Sequence, residues 1–123
     1  MTTEKEIEMP DTLYPRSTMD SAKRRHDLAP EIETAFKLFS NRVFEEGALT
    51  AKTKQLIAVA VAHVTQCSYC IRGHTKAARR DGATAEEIME AIWVAAEMRA
   101  GGAYAHSILA LDAIEPETGL GSG

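Results

Sequence analysis

Apolar residues recur along this chain at the three- and four-residue spacing of amphipathic helices, and no stretch alternates as a half-buried strand would. Pro30 can open a helix whose apolar face is Ile32, Ala35, Phe36, Phe39 and Val43, with Gly47 ending it. Thr50 then caps a helix running to about Thr65. Its stretch Leu56-Ile57-Ala58-Val59-Ala60-Val61-Ala62 is apolar on nearly every side, which predicts a position at the centre of the domain. Gln66 and Cys67 follow, and a further helix is predicted to about Arg80, with Gly82 as a left-handed stop. The clearest start is Thr84-Ala85-Glu86-Glu87, a capping box with Ile88, Ile92, Ala95 and Met98 behind it. Gly101-Gly102 is expected to break or kink that run before a last helix through Ile108, Leu109 and Leu111. The predicted class is all-α, with about five to six helices and no internal repeat. The expected organisation is a flexible N-terminal segment over 1-16, one helical domain over 17-114 and a flexible, glycine-rich tail over 115-123.

Composition narrows the partners. Three Phe, one Trp and three Tyr in 123 residues leave alanine as the main core filler. The 14 Lys and Arg against 18 Asp and Glu give a net charge of -4, without the basic stripe that a phosphate backbone requires, so nucleic acid is excluded as a partner. Lys23-Arg24-Arg25 and Arg79-Arg80 read as solvated surface. The longest apolar run, Leu56 to Val64, is interrupted by His63 and falls well short of the roughly 20 residues that span a bilayer. Met1 to Pro10 is charged and has no apolar core region, so a cytoplasmic, reducing location is expected.

The candidate chemistry lies in Cys67-Ser68-Tyr69-Cys70-Ile71-Arg72-Gly73-His74. On a helix, spacings of three and four bring Cys67, Cys70 and His74 onto one stripe. One thiolate can then attack, the other can resolve the oxidised sulfur as a disulfide, and the imidazole can carry the proton. Two other readings stay open: inert buried thiols, and a metal site completed by His26, His63, His74 or His106. Of the two thiols, Cys67 is nearer the helix N-terminus, where the dipole favours the thiolate. His63, on an otherwise apolar helix, reads as a hydrogen-bonded core or interface residue; His106 could turn toward the thiols if Gly101-Gly102 breaks the helix.

Gly47-Ala48-Leu49-Thr50, Lys52 to Ala60, Cys67-Ser68-Tyr69-Cys70 with His74, Gly82 and Glu86-Glu87-Ile88 together resemble the core of the carboxymuconolactone decarboxylase superfamily over about residues 30 to 112. The cysteine pair with its histidine is similar to the alkylhydroperoxidase AhpD branch. That resemblance implies an AhpD-like helical domain assembling as a homotrimer or homohexamer, without a cofactor. It implies reduction of a small-molecule hydroperoxide and re-reduction by a thioredoxin-like or lipoyl partner. Cys70 would be the peroxidatic thiolate, Cys67 the resolving thiol and His74 part of the proton relay.

Two positions depart from the branch. The glutamate that starts its relay is replaced here by Gln55, which can hold a ring or a water but cannot accept a proton. The histidine between its cysteines is replaced by Tyr69, a hydrogen-bond donor and a poor base near neutral pH. Glu45, Glu46, His63 and His106 are the candidate substitutes for the missing base. The alternatives to a peroxidase or disulfide oxidoreductase are a cofactor-free lyase using His74, and a redox- or metal-binding subunit without turnover.

Overall fold

In a computed structural model describing residues 13–115, five α-helices account for the regular structure, and no strand occurs among the described residues. Of the tails expected over 1–16 and 115–123, residues 1–12 and 116–123 lie outside the described residues. The helices are α1 (Met19–Leu28), α2 (Pro30–Val43), α3 (Ala51–Thr65), α4 (Ser68–Arg80) and α5 (Ala85–Ile114). They fall into two compact units, the described parts of Met1–Glu45 and of Glu46–Gly123.

In the first unit, α1 is a helix that the periodicity missed. It carries Lys23, Arg24, Arg25 and Asp27 and no apolar stripe, and it is started instead by a capping box in which Thr18 Oγ1 accepts from Ser21 N at 3.1 Å and Ser21 Oγ accepts from Thr18 N at 3.0 Å. Ala29 is the sole residue between α1 and α2, and Pro30 at the first position of α2 supplies no N–H that would need a partner. Glu33 ties the two helices: its carboxylate lies 2.6 Å from His26 Nδ1, with Lys37 and Arg25 nearby. The His26 hydrogen bond holds the Glu33 carboxyl below the usual glutamate range, with Lys37 adding to the effect. The expected apolar face of α2 exists as a stripe, yet no residue of either helix is buried.

In the second unit, α3 packs on both α4 and α5. Thr50 Oγ1 accepts from Thr53 N at 3.1 Å and Glu46 Oε2 accepts from Ala51 N at 3.1 Å, so two of the otherwise unsatisfied N–H groups at the start of α3 have partners. The core is Val59, Ala78, Ala83 and Ile88, with Leu56 and Ile92 against it. Alanine at two of these positions lets the helices approach closely. The prediction of a central α3 holds for one face: Gln55, Val59 and Ala62 are buried, while Ile57, Val61 and Val64 are about half exposed. Thr84 and Glu87 form the predicted capping box, and Lys52 Nζ reaches the same Glu87 carboxylate at 3.1 Å, tying α3 to α5. The Thr84 N–H, followed by Lys52, holds the Glu87 carboxyl below its ordinary range. Gly82, with φ +98°, is the left-handed stop after α4.

The expected break at Gly101-Gly102 does not occur. The helix runs unbroken through both glycines to Ile114, a length of about 45 Å. Two glycines cost roughly 1 kcal/mol each relative to alanine, and the flanking Met98-Arg99-Ala100 and Ala103-Tyr104-Ala105, mostly good helix formers, outweigh that local penalty. A Cβ on Gly101 would lie 3.4 Å from Glu97 Oε2, so its absence also makes room for a carboxylate one turn earlier.

Candidate functional site

The site is built at the junction of α3 and α4. Gln66 ends α3 in the left-handed region at φ 60°, and its N–H and that of Cys67 both return to Ala62 O. This reverses the chain within two residues. Cys67 then takes an extended conformation as the N-cap of α4, and its Sγ accepts from Cys70 N at 3.2 Å. Thus the first cysteine occupies the position where Ser, Thr or Asp usually caps a helix. A backbone donor and the positive end of the helix dipole both favour negative charge on that sulfur when the pair is reduced. Cys67 and Cys70 are paired as a disulfide, with Cα atoms 5.2 Å apart, inside the usual disulfide span.

His74 stands one turn after Cys70 on the same side of α4. Its Nδ1 lies 2.7 Å from Gln55 Oε1 across the α3–α4 contact. An amide oxygen only accepts, so Nδ1 is the donor in this bond, which fixes the orientation of the ring. Gln55 itself is only 8% exposed, and a buried amide with a fixed partner orients the ring without changing charge. The structure therefore joins Gln55 to His74 across two helices and Cys67 to Cys70 at the start of α4, with His74 one turn beyond Cys70.

The auxiliary candidates are placed differently. His63 Nδ1 bonds Val59 O of its own helix at 2.7 Å. His106 Nδ1 bonds Gly102 O at 2.8 Å and the residue is exposed; with α5 unbroken, there is no turn to redirect it. Tyr69 is exposed at the first turn of α4. Glu46 is occupied in capping α3, and Glu45 lies within 4.0 Å of Arg42. An open depression lined by Glu46, Thr50, Lys52 and Asp81 includes none of Gln55, Cys67, Cys70 and His74. Among the described residues, no three His, Cys, Asp or Glu side chains are grouped as a metal ion would need. No helix of the described residues is long and apolar enough to cross a membrane.

One residue escaped the sequence reading. Ser68 Oγ, between Cys67 and Tyr69, is buried and has no hydrogen-bond partner among the described residues. A small polar residue at the first helical position carries no signal in sequence. Its hydroxyl is available to a water or to an oxygen of a bound molecule.

The model of the Carboxymuconolactone decarboxylase family matches residues 30–113. An uncharacterized protein 4 in the cox locus of Paracoccus denitrificans is 67% identical over 84 residues, covering 68% of this chain and 76% of that protein. Among solved structures, a protein from Methanobacterium thermoautotrophicum superposes with TM-score 0.64 at 38% identity, covering 68% of this chain and 93% of that one. An apo carboxymuconolactone decarboxylase family protein from Legionella pneumophila gives TM-score 0.62 at 34% identity over 64% of this chain and 70% of that one.

Proposed function

The chain belongs to the carboxymuconolactone decarboxylase family, and on that premise we propose that it is a thiol-dependent oxidoreductase that reduces hydroperoxides through Cys67, Cys70 and His74. The observation that carries this reading is the cysteine pair at the start of α4 with His74 one turn on, its ring held by Gln55 at 2.7 Å. His74 Nε2 takes the proton of the Cys70 thiol. The Cys70 thiolate attacks the terminal peroxide oxygen; the O–O bond breaks, an S–O bond forms, and the alkoxide leaves as the alcohol after taking a proton. Cys67 then displaces hydroxide from the Cys70 sulfenic acid, giving water and the disulfide. A reduced thioredoxin-like or lipoyl dithiol returns the pair to thiols.

The assignment of roles sets two forces against each other. The N-cap position makes Cys67 the better-stabilised thiolate, whereas His74 serves Cys70. Attack on a peroxide needs the proton relay as well as the charge, so Cys70 is assigned as attacker. The test follows hydroperoxide consumption with dithiothreitol as reductant. Cys70→Ser should abolish turnover, and His74→Ala should slow it by roughly 10²-fold. Cys67→Ser should still consume one equivalent of hydroperoxide and stop at a sulfenic acid on Cys70. Sulfenic acid on Cys67 in Cys70→Ser, with Cys70 inert in Cys67→Ser, would reverse the roles.

One observation favours a second reading. Gln55 supplies no proton acceptor where a relay would begin, and a lyase needs only His74 as acid and base with the cysteines idle. Full turnover of a lactone acid by the double Cys67→Ser, Cys70→Ser variant would select it.

The assembly belongs to the same proposal. α5 exposes Trp93, Val94 and Met98, and α3 exposes Ile57 and Val61, more apolar surface than a chain of this length keeps in water. A homotrimer or homohexamer covers it.

A further inference from the structure

The helix that carries the cysteine pair is also the most polarised element of the chain. Ser68–Arg80 holds Arg72, Lys76, Arg79 and Arg80 and no Asp or Glu, in a chain where acidic residues outnumber Lys and Arg 18 to 14. Part of this has a local cause. Arg79 and Arg80 stand in the last turn, where the dipole favours cations, and Arg79 Nη1 donates to Ala83 O at 3.0 Å. Arg72 and Lys76 lie earlier on the helix, and that cause does not reach them.

The basic residues are also ordered. Tyr69, Arg72, Lys76 and Arg80 follow one another at spacings of three, four and four, which puts them on a single row. All four are exposed, on the side of α4 opposite the buried Ala78. Lys76 and Arg80 enter no ion pair among the described residues. The row starts inside the redox motif, because Tyr69 lies between the two cysteines. Gly73, three residues after Cys70 and four after Tyr69, borders both the row and the disulfide. It is exposed, and a Cβ there would meet nothing within 4 Å. Next to Cys70 the row is therefore bordered by a residue without a side chain.

We propose that this row is the docking surface for the protein dithiol that reduces the Cys67–Cys70 disulfide, and that this partner presents its thiols from an acidic surface. The inference rests on the reading that the pair cycles between thiol and disulfide. From Tyr69 to Arg80 the row extends about 17 Å, more than a small thiol touches, and it offers an exposed aromatic at the end nearest the sulfurs. Charge complementarity fixes the sign of the partner. In the exchange, a partner thiolate attacks one sulfur of the pair, the Cys67–Cys70 bond breaks and a mixed disulfide forms. The second partner thiolate then displaces that sulfur, closing the partner's own disulfide. Two electrons pass to the pair, and the partner's two thiol protons end on Cys67 and Cys70.

The test uses two reduced peptides of equal length containing Cys-Gly-Pro-Cys, one flanked by glutamates and one by lysines. Thiols appearing at Cys67 and Cys70 of the oxidised full chain are alkylated and followed by mass. Each rate is normalised to that peptide's rate with a small neutral disulfide, to remove intrinsic thiol reactivity. The acidic peptide should react roughly tenfold faster at low salt, and the gap should close at about 0.5 M salt. Lys76→Glu with Arg80→Glu should reverse the preference. Gly73→Leu, whose Cβ would meet nothing within 4 Å, should slow both peptides while leaving reduction by dithiothreitol unchanged. Equal rates for the two peptides at low salt, or a preference that survives charge reversal, would overturn the proposal. So would charge reversal that changes the mass by light scattering without changing the preference, since the row would then be a contact between copies. No hydroperoxide enters this assay. A pair that obeys these rules yet ignores hydroperoxide would leave the docking surface standing and remove the peroxidase reading alone.

Discussion

Gln55 decides how much base the site holds. It sits 2.7 Å from His74 Nδ1, buried, in the second turn of α3, where it orients the imidazole but accepts no proton. Replacing it with glutamate adds a carboxylate at the same reach. Gln55→Glu should therefore raise hydroperoxide turnover, by about 10²- to 10⁴-fold if the missing base is what limits the rate. A steady-state assay of the variant beside the parent decides this; no gain would mean that another group already serves, or that hydroperoxide is not the substrate. At this scale the sequence made Cys67, Cys70 and His74 legible, because helical spacing alone aligns them. Gln55 came from resemblance, since a polar residue near a helix start has no signature of its own. That its amide oxygen meets His74 depends on how α3 packs on α4, and that Ser68 Oγ is buried depends on tertiary surroundings that no local pattern encodes.

Elements were legible where a local device starts or stops them. Thr50, Gly82 and the Thr84–Glu87 capping box each mark a boundary through backbone chemistry confined to a few residues, and the helices start and stop there. α1 was hidden because its box uses Ser21 in place of Glu or Gln and its faces carry charge. Gly101-Gly102 misled in the other direction, because a propensity cost of roughly 1 kcal/mol per glycine is small beside the pull of a 30-residue helix anchored on α3. The two glycines are not equivalent. A Cβ on Gly102 meets nothing within 4 Å, whereas one on Gly101 meets Glu97 Oε2 at 3.4 Å. Gly102→Ala should raise stability by about 1 kcal/mol in denaturant unfolding, with Gly101→Ala gaining less. A loss of stability in Gly102→Ala would mean that close packing against another subunit occupies that space.

At the scale of the whole molecule, the family is set by the match over residues 30–113, and large apolar side chains stand exposed on several helices. Phe36 and Phe39 of α2 are each 64% exposed and Trp93 of α5 is 67% exposed, in elements whose periodicity reads as buried. The apolar pattern was correct as a pattern, but periodicity marks which face of a helix is apolar and not what packs against it. Light scattering at micromolar concentration should give the mass of a trimer or hexamer of the 13.4 kDa chain; a stable monomer would contradict this. Mass spectrometry of the reduced protein after a substoichiometric dose of hydroperoxide decides whether Cys67 and Cys70 form a redox centre for hydroperoxides. Two hydrogens should be lost rapidly, confined to a Cys67–Cys70 disulfide and in proportion to the dose. Thiols that stay reduced while the hydroperoxide persists would contradict such a centre.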